Sequence, residues 1–333
     1  MWITSGVEGA RGDHGQMNER LLTPAQARGM VFTAADAERF DVSRRDLLAA
    51  CRRGEVHRVR RGAYVLAEAC RAASPEERLA LQTRAVLAAR GGGIASHHSA
   101  LALHGLPMVD AGERIVDLID DVARVRLESG VRIHPPTRLG LPPGMTTREL
   151  TTGLVRGYRC LPIAVAIALA ASRDGVLSGL VPLDRALHDQ RCSVADVADV
   201  FGLVPFNRRE RQRGAELIRL ADSASESVGE TRTRVVLSDL GFRFRSQVKI
   251  RDENGVLVAR VDFLVGERVV VEFDGAIKYE GCEGRAALMA EKRREDRLRS
   301  LGYEVVRLTW SDLAYPQRVA ALVRQAQARV RAA

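Results

Sequence analysis

Two apolar periods alternate along the chain, one near 3.6 residues and one of 2, and where each holds predicts a helix or a strand. Val261, Phe263 and Val265 alternate with Asp262 and Leu264, while Val269, Val271 and Phe273 alternate with Val270, Glu272 and Asp274. Both runs read as strands with one apolar face. Matching those faces pairs Val265 with Val269, Phe263 with Val271 and Val261 with Phe273, leaving Gly266-Glu267-Arg268 as the hairpin loop. Asp262 then stands opposite Glu272, and Asp274 stands opposite Arg260, a cross-strand ion pair. A slip of one residue inverts a strand, so the hydrophobic match itself selects the register that gathers the acids.

Around this hairpin, Ser227-Val228-Gly229-Glu230 opens a helical run from Thr231 to Leu240, and Gly241 ends it. Phe242 to Ile250 reads as a strand, and Asp252-Glu253-Asn254-Gly255 is a turn leading into Val256 to Val265. A charged helix near Arg285 to Leu301, a strand from Tyr303 to Leu308 and a helix near Pro316 to Arg331 follow. Nearer the start, Thr33-Ala34-Ala35-Asp36 begins a short helix through Phe40, and Ser43 with Asp46 caps a second one. Leu47, Leu48 and Cys51 supply its apolar face, Gly54 stops it, and Val56 to Val65 is a basic β-wing turning near Arg61-Gly62. In the middle, Pro75 to Arg90 and Leu161 to Ala171 read as helices, and Ile115 to Ile119 and Val131 to His134 as strands. Pro135-Pro136 and Pro142-Pro143-Gly144 mark loops, and the arginine-rich run Asn207 to Arg213 reads as an exposed linker.

The predicted fold class is therefore α+β and multidomain. A tail at 1–20 precedes a winged helix-turn-helix at 21–68, an α/β middle domain at 69–214 and a C-terminal α/β core at 215–333. Leu161 to Ala171 is too short to span a membrane, and no signal peptide is evident. Five scattered cysteines without Cys-x-x-Cys spacing point to a reducing cytoplasm and no zinc cluster. His97, His98 and His104 lack a carboxylate or cysteine at ligand spacing, so packing or helix-surface roles are expected for them. A net charge of +9 and a pI near 9.8 favour double-stranded DNA as partner. Arg44, Arg45, Arg52 and Arg53 on the second helix face the major groove in this reading, and Arg58, Arg60 and Arg61 on the wing grip backbone or minor groove.

The acids carry a second chemistry. Carboxylates inside apolar strands are costly unless paired or bound to a cation, so the placement of Asp262 and Glu272 suggests a metal site. Glu230 either joins them or simply closes a capping box with Ser227. The sequence DFLV…VVVEFDG…KY…EDRLRSLGYEVVRLTWSDL and its element order resemble the restriction-endonuclease fold, in the branch like the very-short-patch-repair endonucleases. That resemblance implies a Mg²⁺- or Mn²⁺-dependent endonuclease with Asp262 and Glu272 as metal ligands and Glu230 as third acid. The fold's usual Glu-x-Lys reads Glu272-x-Asp274 here, so Lys278 is the nearest candidate cation. It is one of three lysines among 51 basic residues, the others being Lys249 and Lys292.

The N-terminal phrases Phe32-Thr33-Ala34-Ala35-Asp36, Val42-Ser43-Arg44 and Arg53 to Tyr64 resemble the N-terminal domain of the AbiEi antitoxins of type IV toxin–antitoxin systems. Ser96 to Pro107 looks like that family's next helix. The resemblance implies autoregulation by binding upstream DNA and a cognate toxin or operon partner. Two functions follow as expectations: a winged helix targeting a Mg²⁺- or Mn²⁺-dependent endonuclease, or a non-catalytic autoregulator and antitoxin with an inactive nuclease fold.

Overall fold

A computed structural model describes residues 22–23, 25–26, 29–109, 115–140, 154–275 and 282–332, with 282–288 described by backbone alone. The expected tail at 1–20, the Pro142-Pro143-Gly144 loop and Lys278 lie outside these residues. The architecture is mixed α+β. It divides into two compact units, one of residues 1–182 with 193–215 and the other of 183–192 with 216–333.

In the first unit a three-stranded sheet of order β1-β3-β2 is built from β1 (Val31–Thr33), β2 (Val56–Arg60) and β3 (Ala63–Leu66). Between β1 and β2 lie the helices Ala34–Glu38 and Arg44–Arg52, each opened by a complete capping box, Thr33 with Asp36 and Ser43 with Asp46. In each box, two backbone donors that a helix start leaves unpaired are satisfied reciprocally. Phe32, Ala37, Val42, Leu47, Ala50, Val56 and Tyr64 form the core beneath. Leu47 is buried, but Leu48, expected beside it, is 42% exposed; Ala50 takes the inward position. The wing turns at Gly62, whose φ of +81° a side chain would resist.

The second sheet of this unit has the order β4-β5-β7-β6, formed by β4 (Ile94–Ala95), β5 (Val116–Ile119), β6 (Arg126–Glu128) and β7 (Val131–His134). β5 and β7 run parallel and the other pairs antiparallel. The helices Pro75–Arg90, His97–Leu103 and Ile163–Asp174 accompany it, and β8 (Leu154–Val155) with β9 (Tyr158–Arg159) makes a small hairpin. The run Asn207 to Arg213 is not a linker: Arg208–Leu220 is a helix. Asn207 Oδ1 accepts the Glu210 N–H at 3.0 Å and Glu210 accepts the Asn207 N–H at 2.8 Å, an Asn-x-x-Glu cap that starts it.

The second unit holds one four-stranded sheet, β10-β11-β12-β13, from β10 (Phe244–Arg251), β11 (Leu257–Val265), β12 (Val269–Phe273) and β13 (Glu304–Leu308). β12 and β13 are parallel, linked through the helix Cys282–Ser300. The register of β11 on β12 is Val265↔Val269, Leu264↔Val270 and Phe263↔Val271, around the Gly266-Glu267-Arg268 loop. Both faces of these strands are apolar rather than one. Phe263, Val265, Val269 and Val271 pack with Leu237, Val319 and Val323, whereas Leu264 and Val270 pack with Leu298. The reason is helices on either side: Val228–Asp239 and Pro316–Ala332 on one face, Cys282–Ser300 on the other.

Candidate functional site

The β11–β12 register, continued one step, sets Asp262 across from Glu272. The ladder does not continue regularly there. The Phe273 N–H is donated to Asp262 Oδ2 at 2.9 Å, so a carboxylate takes a strand donor that a backbone carbonyl would otherwise accept. On the other side of β11, Gln247 has a φ of +51°, and the ladder steps past it from Ser246↔Phe263 to Val248↔Val261. This local break directs Gln247 Nε2 to Glu230 Oε2 at 2.8 Å. Glu230, in the first turn of its helix, is only 8% exposed. It also accepts the Glu226 N–H at 3.0 Å and the Ser227 hydroxyl at 2.8 Å, while Ser227 Oγ accepts the Glu230 N–H. Glu230 therefore performs a capping role and is also tied through Gln247 to β10, the strand beside β11.

Glu272 is 9% exposed, and it is not unpaired. Arg294 Nη2, from the helix Cys282–Ser300, lies 3.0 Å from Glu272 Oε2, and Arg307 of β13 lies 4.0 Å from the same oxygen. Both arginines also hold Glu291, at 2.6 and 2.5 Å, and Arg307 reaches Glu295 at 3.0 Å. Arg260, the expected partner of Asp274, pairs with Glu226. Behind the acids, Phe273 meets Trp310 edge-on with centroids 4.7 Å apart, and Arg232 lies 5.4 Å over the Trp310 ring. Gly229 permits this packing, because a Cβ there would come within 2.0 Å of the Phe273 ring.

Burial pushes the Asp262 carboxyl up to about 6, reinforced by Glu230 and Glu272 and opposed by the Phe273 N–H. Burial also raises Glu272, against the pull of Arg294 and Arg307. A carboxyl whose folded pKa exceeds its unfolded value binds its proton more tightly when folded. Its protonation then assists folding as pH falls from 6 toward 4, and its charge opposes folding at neutral pH. Asp262→Asn keeps an acceptor for the Phe273 N–H and removes the charge. The variant is expected to be more stable than wild type at about pH 7.5, by about 1–2 kcal/mol after solvent screening. Denaturant midpoints across pH check this, and the gap should close near pH 4; a gap independent of pH would refute the assignment.

The winged-helix surface is arranged differently. Arg44, Leu48 and Arg52 recur every fourth residue and are all exposed, forming a stripe on the helix Arg44–Arg52, with Arg45 beside it. Arg53 is engaged with Glu55 through two contacts of 2.6 and 3.1 Å. On the wing, Arg58 and Arg61 are exposed and Arg60 is partly buried.

A third cluster lies in the first unit. His97, Asp117 and His134 are buried, and their ligand atoms all lie within 4.8 Å of one another, close enough to coordinate a divalent metal in principle. His97 is buried and stacks on His134, and a carboxylate does stand beside it: β5 delivers Asp117 and β7 delivers His134, which no local spacing could reveal. His104 does pack, its Nε2 lying 2.9 Å from the Leu161 carbonyl.

Residues 19–67 match the family model described as transcriptional regulator, AbiEi antitoxin, and the described residues among them form a winged-helix domain of that type. Two curated Mycobacterium tuberculosis proteins, Uncharacterized protein MT2308 of strain CDC 1551 / Oshkosh and Uncharacterized protein Rv2248 of strain H37Rv, are each 27% identical over 212 residues. Those alignments cover 62% of this chain and 74% of each relative. Among solved structures, that of the RV2827C protein from Mycobacterium tuberculosis aligns over 66% of this chain and 80% of its own, at 17% identity and a TM-score of 0.32. That score carries no argument about shared fold. No described helix is long and apolar enough to cross a membrane.

Proposed function

We propose that this protein is a DNA-binding transcriptional autoregulator of the AbiEi antitoxin type, working beside a cognate toxin or operon partner in the cytoplasm. The organisation in this reading is a winged helix at 21–68, an AbiEi-like middle domain at 69–214 and a C-terminal domain at 215–333. The observation that carries it is the AbiEi match at 19–67, coinciding with a doubly capped helix pair and an exposed arginine stripe. Arg44, Arg45 and Arg52 are the base and phosphate contacts, and Arg58 and Arg61 hold the backbone from the wing. Duplex DNA from upstream of the protein's own gene is expected to bind at least ten times more tightly than a scrambled duplex in an anisotropy titration. Equal affinity for both would sink autoregulation while leaving general DNA binding.

A second reading, a Mg²⁺- or Mn²⁺-dependent endonuclease on a restriction-endonuclease-like core, is favoured by one observation: the Asp262 carboxylate accepts the N–H of Phe273, the residue next to the buried Glu272. Asp262 and Glu272 would hold the ion, which supplies a polarised phosphodiester and an activated water when bound. The donor set fits in part, because hard oxygens are present but Arg294 already neutralises Glu272. Arg294 must let go before a cation enters. Nicking of plasmid DNA with either metal, lost in Asp262→Ala with DNA binding intact, supports catalysis. Bound but uncut DNA leaves the autoregulator reading alone.

A further inference from the structure

The middle region contains a buried polar cluster that neither DNA binding nor the acidic hairpin uses. Its donors are two imidazoles and one carboxylate from three separate elements: His97 at the start of the helix His97–Leu103, Asp117 on β5 and His134 on β7. His134 Nε2 lies 2.8 Å from Asp117 Oδ1, and the His97 and His134 rings stack with centroids 4.3 Å apart.

Two features show that the surroundings aim His97 into this cluster at some cost. Its φ is +47°, a left-handed conformation that residues with a Cβ avoid. Ser96 occupies the N-cap of the helix but makes no capping bond; its hydroxyl instead lies 3.1 Å from His97 Nδ1. A serine that forgoes its cap to fix an imidazole is the behaviour of a metal site's outer shell, which sets the tautomer of the liganding ring. With Nδ1 engaged, Nε2 is the nitrogen left for an ion.

Asp117 is supported in the same way. Arg173 donates to its two oxygens at 2.6 and 3.0 Å, and also to Asp174 at 2.8 Å, so its charge is shared between two acids. Arg132, partly exposed, lies 3.5 Å from Asp117 Oδ1. A carboxylate has room for an ion besides these donors. Entry of an ion would replace the proton between His134 and Asp117 and widen that 2.8 Å contact by a few tenths of an ångström.

The geometry points to a transition-metal site at His97, Asp117 and His134, for which Zn²⁺ is the ion of choice. Two nitrogens and one oxygen suit Zn²⁺ or Co²⁺ and disfavour Mg²⁺ and Ca²⁺, which take oxygen donors. Three protein ligands leave a fourth position open.

The test uses the full chain, stripped with a chelator and then dialysed. Titration with Zn²⁺ is expected to load about one ion per chain at this site and to raise the melting temperature. Co²⁺ should give the visible absorption of a tetrahedral N/O site, and Mg²⁺ should displace neither. His97→Gln and His134→Gln, each checked for folding by circular dichroism, should lose the Co²⁺ spectrum, whereas Asp262→Asn/Glu272→Gln should keep it. A folded wild type that binds no Zn²⁺ and melts identically with chelator overturns the site. So does a Co²⁺ signal that survives both histidine variants or that vanishes with the C-terminal acids.

Discussion

Replacing Arg44, Arg45 and Arg52 together by alanine is expected to weaken DNA binding by about a hundred- to a thousandfold at physiological salt. The estimate follows from counting charges. Each guanidinium that neutralises a phosphate releases a condensed counterion, so removing three should flatten the slope of log affinity against log salt by about 2 to 3. Any of the three that reaches a base edge adds a loss of discrimination on top. The fold should survive, because all three are exposed, the Ser43–Asp46 capping box is untouched, and alanine favours helix. Circular dichroism of the variant and a salt series on the upstream duplex provide the measurement. Unchanged affinity with an unchanged slope would mean that this helix does not face DNA.

Arg234→Ala is expected to destabilise the second unit by about 3–5 kcal/mol, the cost of leaving a buried charge without its partner. Asp184 is buried, and Arg234 pairs with it from the helix Val228–Asp239 while also donating to the Leu220 carbonyl. Thr231 Oγ1 and the Asp222 N–H complete the acid's partners at 2.8 and 2.9 Å. Burial pushes Asp184 up to about 6 even with Arg234 beside it, and losing the arginine pushes it higher. A raised carboxyl favours the folded state at low pH and loses that advantage as pH climbs through its folded value. The deficit of the variant should therefore be smallest near pH 5 and grow toward pH 8 in urea titrations. A deficit that ignores pH would mean that Asp184 does not carry the effect.

How far the chain could be read in advance depended on whether the deciding contacts were local. The hairpin register at Val265↔Val269 was legible because side-chain alternation and loop length fix it within thirteen residues. The capping boxes at Thr33 and Ser43 were legible for the same reason. Asn207 and Glu210 spell a comparable signal, but the surrounding arginines masked it as a solvated run. Arg294 and Arg307 could not be foreseen beside Glu272. They come from a later helix and a parallel strand, whose placement depends on how the whole sheet is covered. The imidazole cluster was invisible in the same way, since the parallel pairing of β5 with β7 creates it.

Asp184 also decides where the chain can be divided. It belongs with residues 216–333 in space but is separated from them in sequence by 193–215, which fold with the first unit. A gene exchange at the apparent seam near 215 would therefore hand on Arg234 and Thr231 without the carboxylate that they bind. The C-terminal third is consequently not a cassette that one recombination can move intact.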